Sequence, residues 1–189
     1  MPLDLEDVLV SLAEQVRNRH YGKYRGIVRD IEDPLALGRI RAEVPAVLSQ
    51  QESPWAMPCV PYAGPNHGLV LLPETGDGVW IEFEAGDLSR PIWSGCWWAD
   101  GQLPTQEPAT SRLLATGKGH RILLDEDKDE IKLTHPGGAE LVLAKDSITL
   151  TIGQSTLTLT DGEIVLNDGM AKVTTSGASL VRDAFTVGG

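Results

Sequence analysis

From Ile122 onward the chain alternates aliphatic with polar residues in short runs, and no other feature limits its fold as strongly. The aliphatic positions are Ile122 and Leu124, Ile131 and Leu133, Leu141 and Leu143, Ile148, Leu150 and Ile152, Leu157 and Leu159, and Ile164 and Leu166. A period of two predicts strands that each present one aliphatic face. Between the runs stand Asp127-Lys128-Asp129, Pro136-Gly137-Gly138, Lys145-Asp146, Gly153-Gln154-Ser155, Asp161-Gly162 and Asn167-Asp168-Gly169. These are turn sequences and predict antiparallel hairpins. Thr149, Thr151, Thr158 and Thr160 suit the opposite face, where Val142 and Val165 leave some apolar surface.

A ribbon of such short strands has no helix or second sheet to cover its aliphatic face, and alone it is not stable in water. Other copies of the chain are the simplest cover. Three ribbons wound about a common axis would bury these side chains in a shared core and pair the strand edges. A single-chain β-solenoid is the rival, but each of its coils takes about 20 or more residues, leaving this tract few coils.

Upstream the pattern differs. Leu5, Val8, Leu9, Leu12, Ala13 and Val16 recur at helical spacing behind a candidate cap, Asp4, and predict one short amphipathic helix with Asp7 and Glu14 on its other side. A basic run follows (Arg17, Arg19, Lys23, Arg25, Arg29) and reads as a solvated face. Strands are expected at 24–28, 38–44, 68–72, 79–84 and 91–97, with Val79, Ile81 and Phe83 on one side of the fourth. That many strands without a helix-length segment suit a small closed or partly open barrel. Residues 102–116, with Pro104 and Pro108, read as a connector. The expected divisions are an arm over 1–20, a barrel over 21–101, the connector, and a stalk with its tip over 117–189.

Composition excludes several classes of function. A formal charge of −11 disfavours nucleic acid, and residues 51–110 hold Arg90 as their one basic side chain. Cys59 and Cys96 lack C-x-x-C spacing and sit in apolar company, so buried, reduced thiols are expected. Asp4, Glu6 and Asp7 stand where a signal peptide would be basic, and no run is long and apolar enough to span a membrane. The chain therefore reads as a soluble product of a reducing cytoplasm. The acidic run from Asp125 to Glu130 lacks the glycine and ligand spacing of a calcium loop and reads as a solvated turn. No nucleophile elbow or phosphate loop is present, and neither catalysis nor a cofactor or metal is expected.

Three blocks in the barrel carry a resemblance. Gly26-Ile27-Val28 precedes Asp33-Pro34 and Gly38-Arg39-Ile40-Arg41; Pro73-Glu74-Thr75-Gly76-Asp77-Gly78 runs into Val79-Trp80-Ile81-Glu82-Phe83-Glu84; Gly86-Asp87 precedes Arg90-Pro91. In order and spacing they resemble the central spike proteins of contractile tails: the phage baseplate assembly protein V family and the spike portion of type VI secretion valine-glycine repeat proteins. Gly119-His120-Arg121-Ile122 and the repeats after it resemble the same family's stalk.

After the N-terminal helix read above, the resemblance implies an OB-fold barrel and then a C-terminal trimeric, intertwined triple-stranded β-helix, making the chain all-β in class. It implies a structural, non-enzymatic baseplate subunit forming a membrane-puncturing needle, gripped at the OB end by a hub protein and closed at the carboxyl end by a tip. Such a spike is assembled in the bacterial cytoplasm into a phage tail or injection particle and reaches the target envelope on contraction. Some relatives insert a muramidase between barrel and stalk, for which 101–116 is too short. Others close the tip with a metal on a His-x-His pair, which His20, His67, His120 and His135 do not form. Ala184, Phe185 and Val187 are therefore expected to meet a separate PAAR-type tip protein, with a frayed tail as the alternative. The competing reading of the whole is an OB-fold module for oligosaccharide or single-stranded nucleic acid with a β-solenoid extension.

Overall fold

The computed structural model describes residues 5–104, 109–180 and 184–188. Asp4, the expected helix cap, and Val181 to Asp183 and Gly189 near the carboxyl end lie outside the described residues. The chain divides into two compact units, Met1–Leu103 and Pro104–Gly189.

The first unit opens with α1 (Leu5–Arg17), where the apolar spacing predicted a helix. Strands β1 (Tyr24–Asp30), β2 (Arg41–Glu43), β3 (Met57–Pro58), β6 (Gly78–Phe83) and β7 (Pro91–Trp97) form a curled, OB-like half-barrel in the order β2-β1-β6-β7-β3. All neighbours are antiparallel except β3 and β7. Alternation in β6 sends Val79, Ile81 and Phe83 inward, where they meet Val28, Ile40, Ala42, Val44 and Trp93 in one buried core. The indole of Trp93 donates to the Gly38 carbonyl at 3.1 Å and ties that core to the loop after β1.

Three expectations change here. Of the expected strand at 68–72 only Gly68 lies in a strand, β5 (His67–Gly68), paired with β4 (Ala63–Gly64); Leu69 to Leu72 find no partner strand and are exposed. A short helix, α2 (Pro45–Leu48), follows β2 with Pro45 in its first turn, a position that tolerates the missing N–H. Cys59 and Cys96 are free but exposed, because neighbouring apolar residues in sequence do not place a side chain on the inner face.

The second unit is a single antiparallel sheet of ten strands in chain order. They are β8 (Arg112–Ala115), β9 (Arg121–Asp125), β10 (Glu130–Thr134), β11 (Glu140–Ala144), β12 (Ser147–Ile152), β13 (Ser155–Thr160), β14 (Glu163–Leu166), β15 (Ala171–Thr174), β16 (Gly177–Leu180) and β17 (Phe185–Gly188). The segment expected as a connector thus contains β8, whose Leu113 and Leu114 pair with Leu123 and Ile122. Turn chemistry falls where it was read: Gly162 and Gly169 both have φ +91, and Asn167 and Asp168 are also left-handed. The Asn167 side chain ties the β14–β15 turn to β13 by accepting the Thr156 N–H at 2.8 Å.

Candidate functional site

Strand register turns the aliphatic alternation into two continuous rows across one face of the sheet, because directly opposed residues share a face. The first row runs Leu114, Ile122, Leu133, Leu141, Leu150, Leu157, Leu166, Ala171, Leu180, Phe185. The second runs Leu124, Ile131, Leu143, Ile148, Leu159, Ile164, Val173, Ala178, Val187. Twelve of the thirteen aliphatic positions read from the sequence lie in these rows. Ile152 shares their face but stands opposite Ser155 at the hairpin end and is strongly exposed.

Sequence reading missed Leu114, Ala171, Val173, Ala178 and Leu180. Alternation in Ala171/Val173 and Ala178/Leu180 was the available signal, weakened by the small residues. Phe185 and Val187 form the last rungs of the two rows, and Ala184 immediately precedes that strand in an exposed turn.

No side chain of the described chain covers this face well. Leu114, Ile122, Leu124, Ile131, Leu133, Ile148, Leu150, Ile164 and Leu166 are each 39–45% exposed, and Phe185 and Val187 reach 60% and 61%. A trough of about 420 Å³ lies over the first row between Leu114 and Ile152. Monomeric soluble proteins rarely leave so continuous an aliphatic surface uncovered.

The opposite face carries Lys132, Thr149, Thr158, Lys172 and Ser179 among Leu123, Val142 and Val165. Cross-strand ion pairs link Lys132 to Glu140 at 2.7 Å and Lys172 to Glu163 at 2.9 Å. Asp125 departs from the expected solvated turn. Its side chain is buried, pairs with Lys128 at 2.9 Å and accepts the Asp127 and Lys128 N–H groups, and the Lys128 contact holds its carboxyl below the usual range. Among the described residues no cluster of His, Cys, Asp and Glu could hold a metal ion, and no helix is long and apolar enough to cross a membrane.

In the barrel, the motif residues build its loops. Asp33, followed by Pro34, accepts the N–H groups of Leu35 at 3.0 Å and Leu37 at 2.8 Å and forms a nearly buried, bidentate pair with Arg39. Gly38 (φ +72) turns the chain between them. Arg39 and Arg41 flank the Trp55 ring. Asp77 accepts the Glu74 N–H at 2.8 Å and closes the turn through Gly76 (φ +98), after the buried Pro73. Asp87 accepts both donors of Ser89, Arg90 pairs with Glu84 at 2.7 Å, and Pro91 is fully buried beside Phe83. At Gly86 (φ +77) a Cβ would come within 3.0 Å of both Arg19 and His20.

The basic run is exposed, as expected of a solvated face, and several of its members also reach partners on the barrel surface. Arg29 pairs with Glu43, Lys23 reaches Glu82 and Ser94, and the Arg25 guanidinium lies over the Trp80 and Trp97 rings. That cation sits over one face of each ring.

No curated protein matches the chain. Residues 24–98 match the family described as the type VI secretion system/phage-baseplate injector OB domain. The matched segment spans all five strands of the half-barrel and every loop built by the motif residues. Residues 24–98 are thus similar to the injector OB domain shared by type VI secretion systems and phage baseplates, a family of structural proteins.

Proposed function

We propose that the chain is the central spike subunit of a contractile injection machine, and that three copies join through the two aliphatic rows into a rigid puncturing needle. The observation that carries this reading is the pair of rows itself. A single-layer sheet with one aliphatic face needs cover, and the same row on two siblings supplies cover of matching length. Interchain burial along every rung lets axial force pass without opening any one hairpin. The OB-domain family supports the baseplate setting.

The chain alone, purified at micromolar concentration, is expected to sediment as a homotrimer. A well-folded monomer would overturn the reading.

A hub protein would hold the barrel, where Leu35, Leu37, Tyr62 and Leu69 to Leu72 offer an exposed apolar surface. A PAAR-type tip protein would cover the last rungs, Phe185 and Val187, whose exposure exceeds that of the interior rungs. In pull-downs from cells making the whole particle, a chain ending before Ala184 is expected to lose the tip protein and keep the hub. Retention of the tip would remove that partner from the proposal.

A further inference from the structure

The helix α1 also carries an uncovered apolar face. Leu5, Leu9, Leu12 and Val16 are 72%, 59%, 53% and 69% exposed. Their spacing of four, three and four residues is that of alternating d and a positions over two heptads. Counted at ~100° per residue, these four with Val8 and Ala13 fall within an arc of about 140°, broader than a two-stranded seam requires.

The root of the helix is braced. The His20 N–H donates to the Gly86 carbonyl at 2.9 Å, Arg19 Nη1 donates to the Ala85 carbonyl at 3.2 Å, and the His20 ring packs edge-on against Tyr24 and Phe83. Gly86 admits this approach only because it lacks a Cβ. The helix therefore leaves the barrel at a fixed point with its apolar arc uncovered.

From the arc, the heptad spacing and the braced root, we infer that α1 packs against the α1 helices of two sibling chains as a short parallel three-helix bundle. Three helices about one axis each turn roughly a third of their circumference inward, which this arc fills. A helix of ~20 Å is too short to associate alone. Chains already joined along their sheets hold the three helices at high effective concentration, so little intrinsic affinity is needed. The inference rests on the trimeric reading above and adds a second, separate zone of contact at the amino-terminal end of the chain.

The test uses the full chain with Cys59→Ser and Cys96→Ser, into which Leu9→Cys, Val16→Cys or Val10→Cys is introduced singly. Val10 is exposed but lies about 140° round the helix from Leu5. Under mild oxidation Leu9→Cys and Val16→Cys should form covalent dimers roughly tenfold faster than Val10→Cys, as their proximity on the shared axis dictates. Sedimentation of the same samples separates the two ways of failing. A trimer in which all three positions cross-link equally, or none does, overturns the bundle alone and leaves the helix face to another protein of the particle. A monomer overturns the bundle together with the spike reading.

Discussion

Replacing Leu150 with Asp should abolish assembly. Leu150 lies mid-row between Leu141 and Leu157, so in a trimer the substitution sets three carboxylates around one axis with no partner for any of them. Removing the aliphatic packing alone costs about 2–5 kcal/mol per chain at a buried leucine. Burying unpaired like charges adds a further penalty of comparable or larger size. Sedimentation velocity should show monomers or aggregates in place of trimers. Thr149→Asp, one residue away on the opposite face between Val142 and Thr158, should leave the trimer intact. If both variants assemble as the parent does, the aliphatic rows are not an interface.

The second large effect belongs to the barrel. Asp33→Asn leaves the Arg39 guanidinium nearly buried without its counter-charge and weakens the loop that carries Gly38. The barrel's thermal transition, followed through fluorescence of Trp55 and Trp93, should fall by many degrees. The pH dependence has a definite sign. The Arg39 hydrogen bond, helped by backbone donors in the same loop, holds the Asp33 carboxyl far below the usual carboxylate range. The unfolded chain then takes up a proton near pH ~4 while the folded barrel does not. This stabilisation is complete above that pH and is lost progressively as the pH falls toward the depressed value. The parent barrel should thus lose stability more steeply below pH ~4 than Asp33→Asn does. Parallel acid curves for the two proteins would contradict the assignment.

Much of this architecture is legible in the amino-acid order because periodicity is a local property. The alternation of Val79, Ile81 and Phe83 identifies the inner face of a barrel strand, and repeated Ile/Leu pairs identify the face of a sheet. What the order does not reveal depends on partners distant in sequence. Leu69 to Leu72 look like a strand and are not one, since no neighbouring strand receives their backbone. Leu113 and Leu114, close behind two prolines, become a strand because β9 offers an edge. By sequence Asp125 is one more acid in a charged run, yet Lys128 and two backbone N–H groups enclose it. The motif residues were legible as turn formers, whereas the Asp33–Arg39 pair and its reach to Trp55 required three dimensions.

Because each hairpin repeats the same two rungs in chain order, the sheet behaves as a modular ruler. Cutting out β12 and β13 would set Leu141 opposite Leu166 and Leu143 opposite Ile164, preserving strand direction and the phase of both rungs. Whole hairpins are thus units that can be added or removed in pairs of strands, changing how many rungs the aliphatic face carries while the two residues of each rung stay in phase.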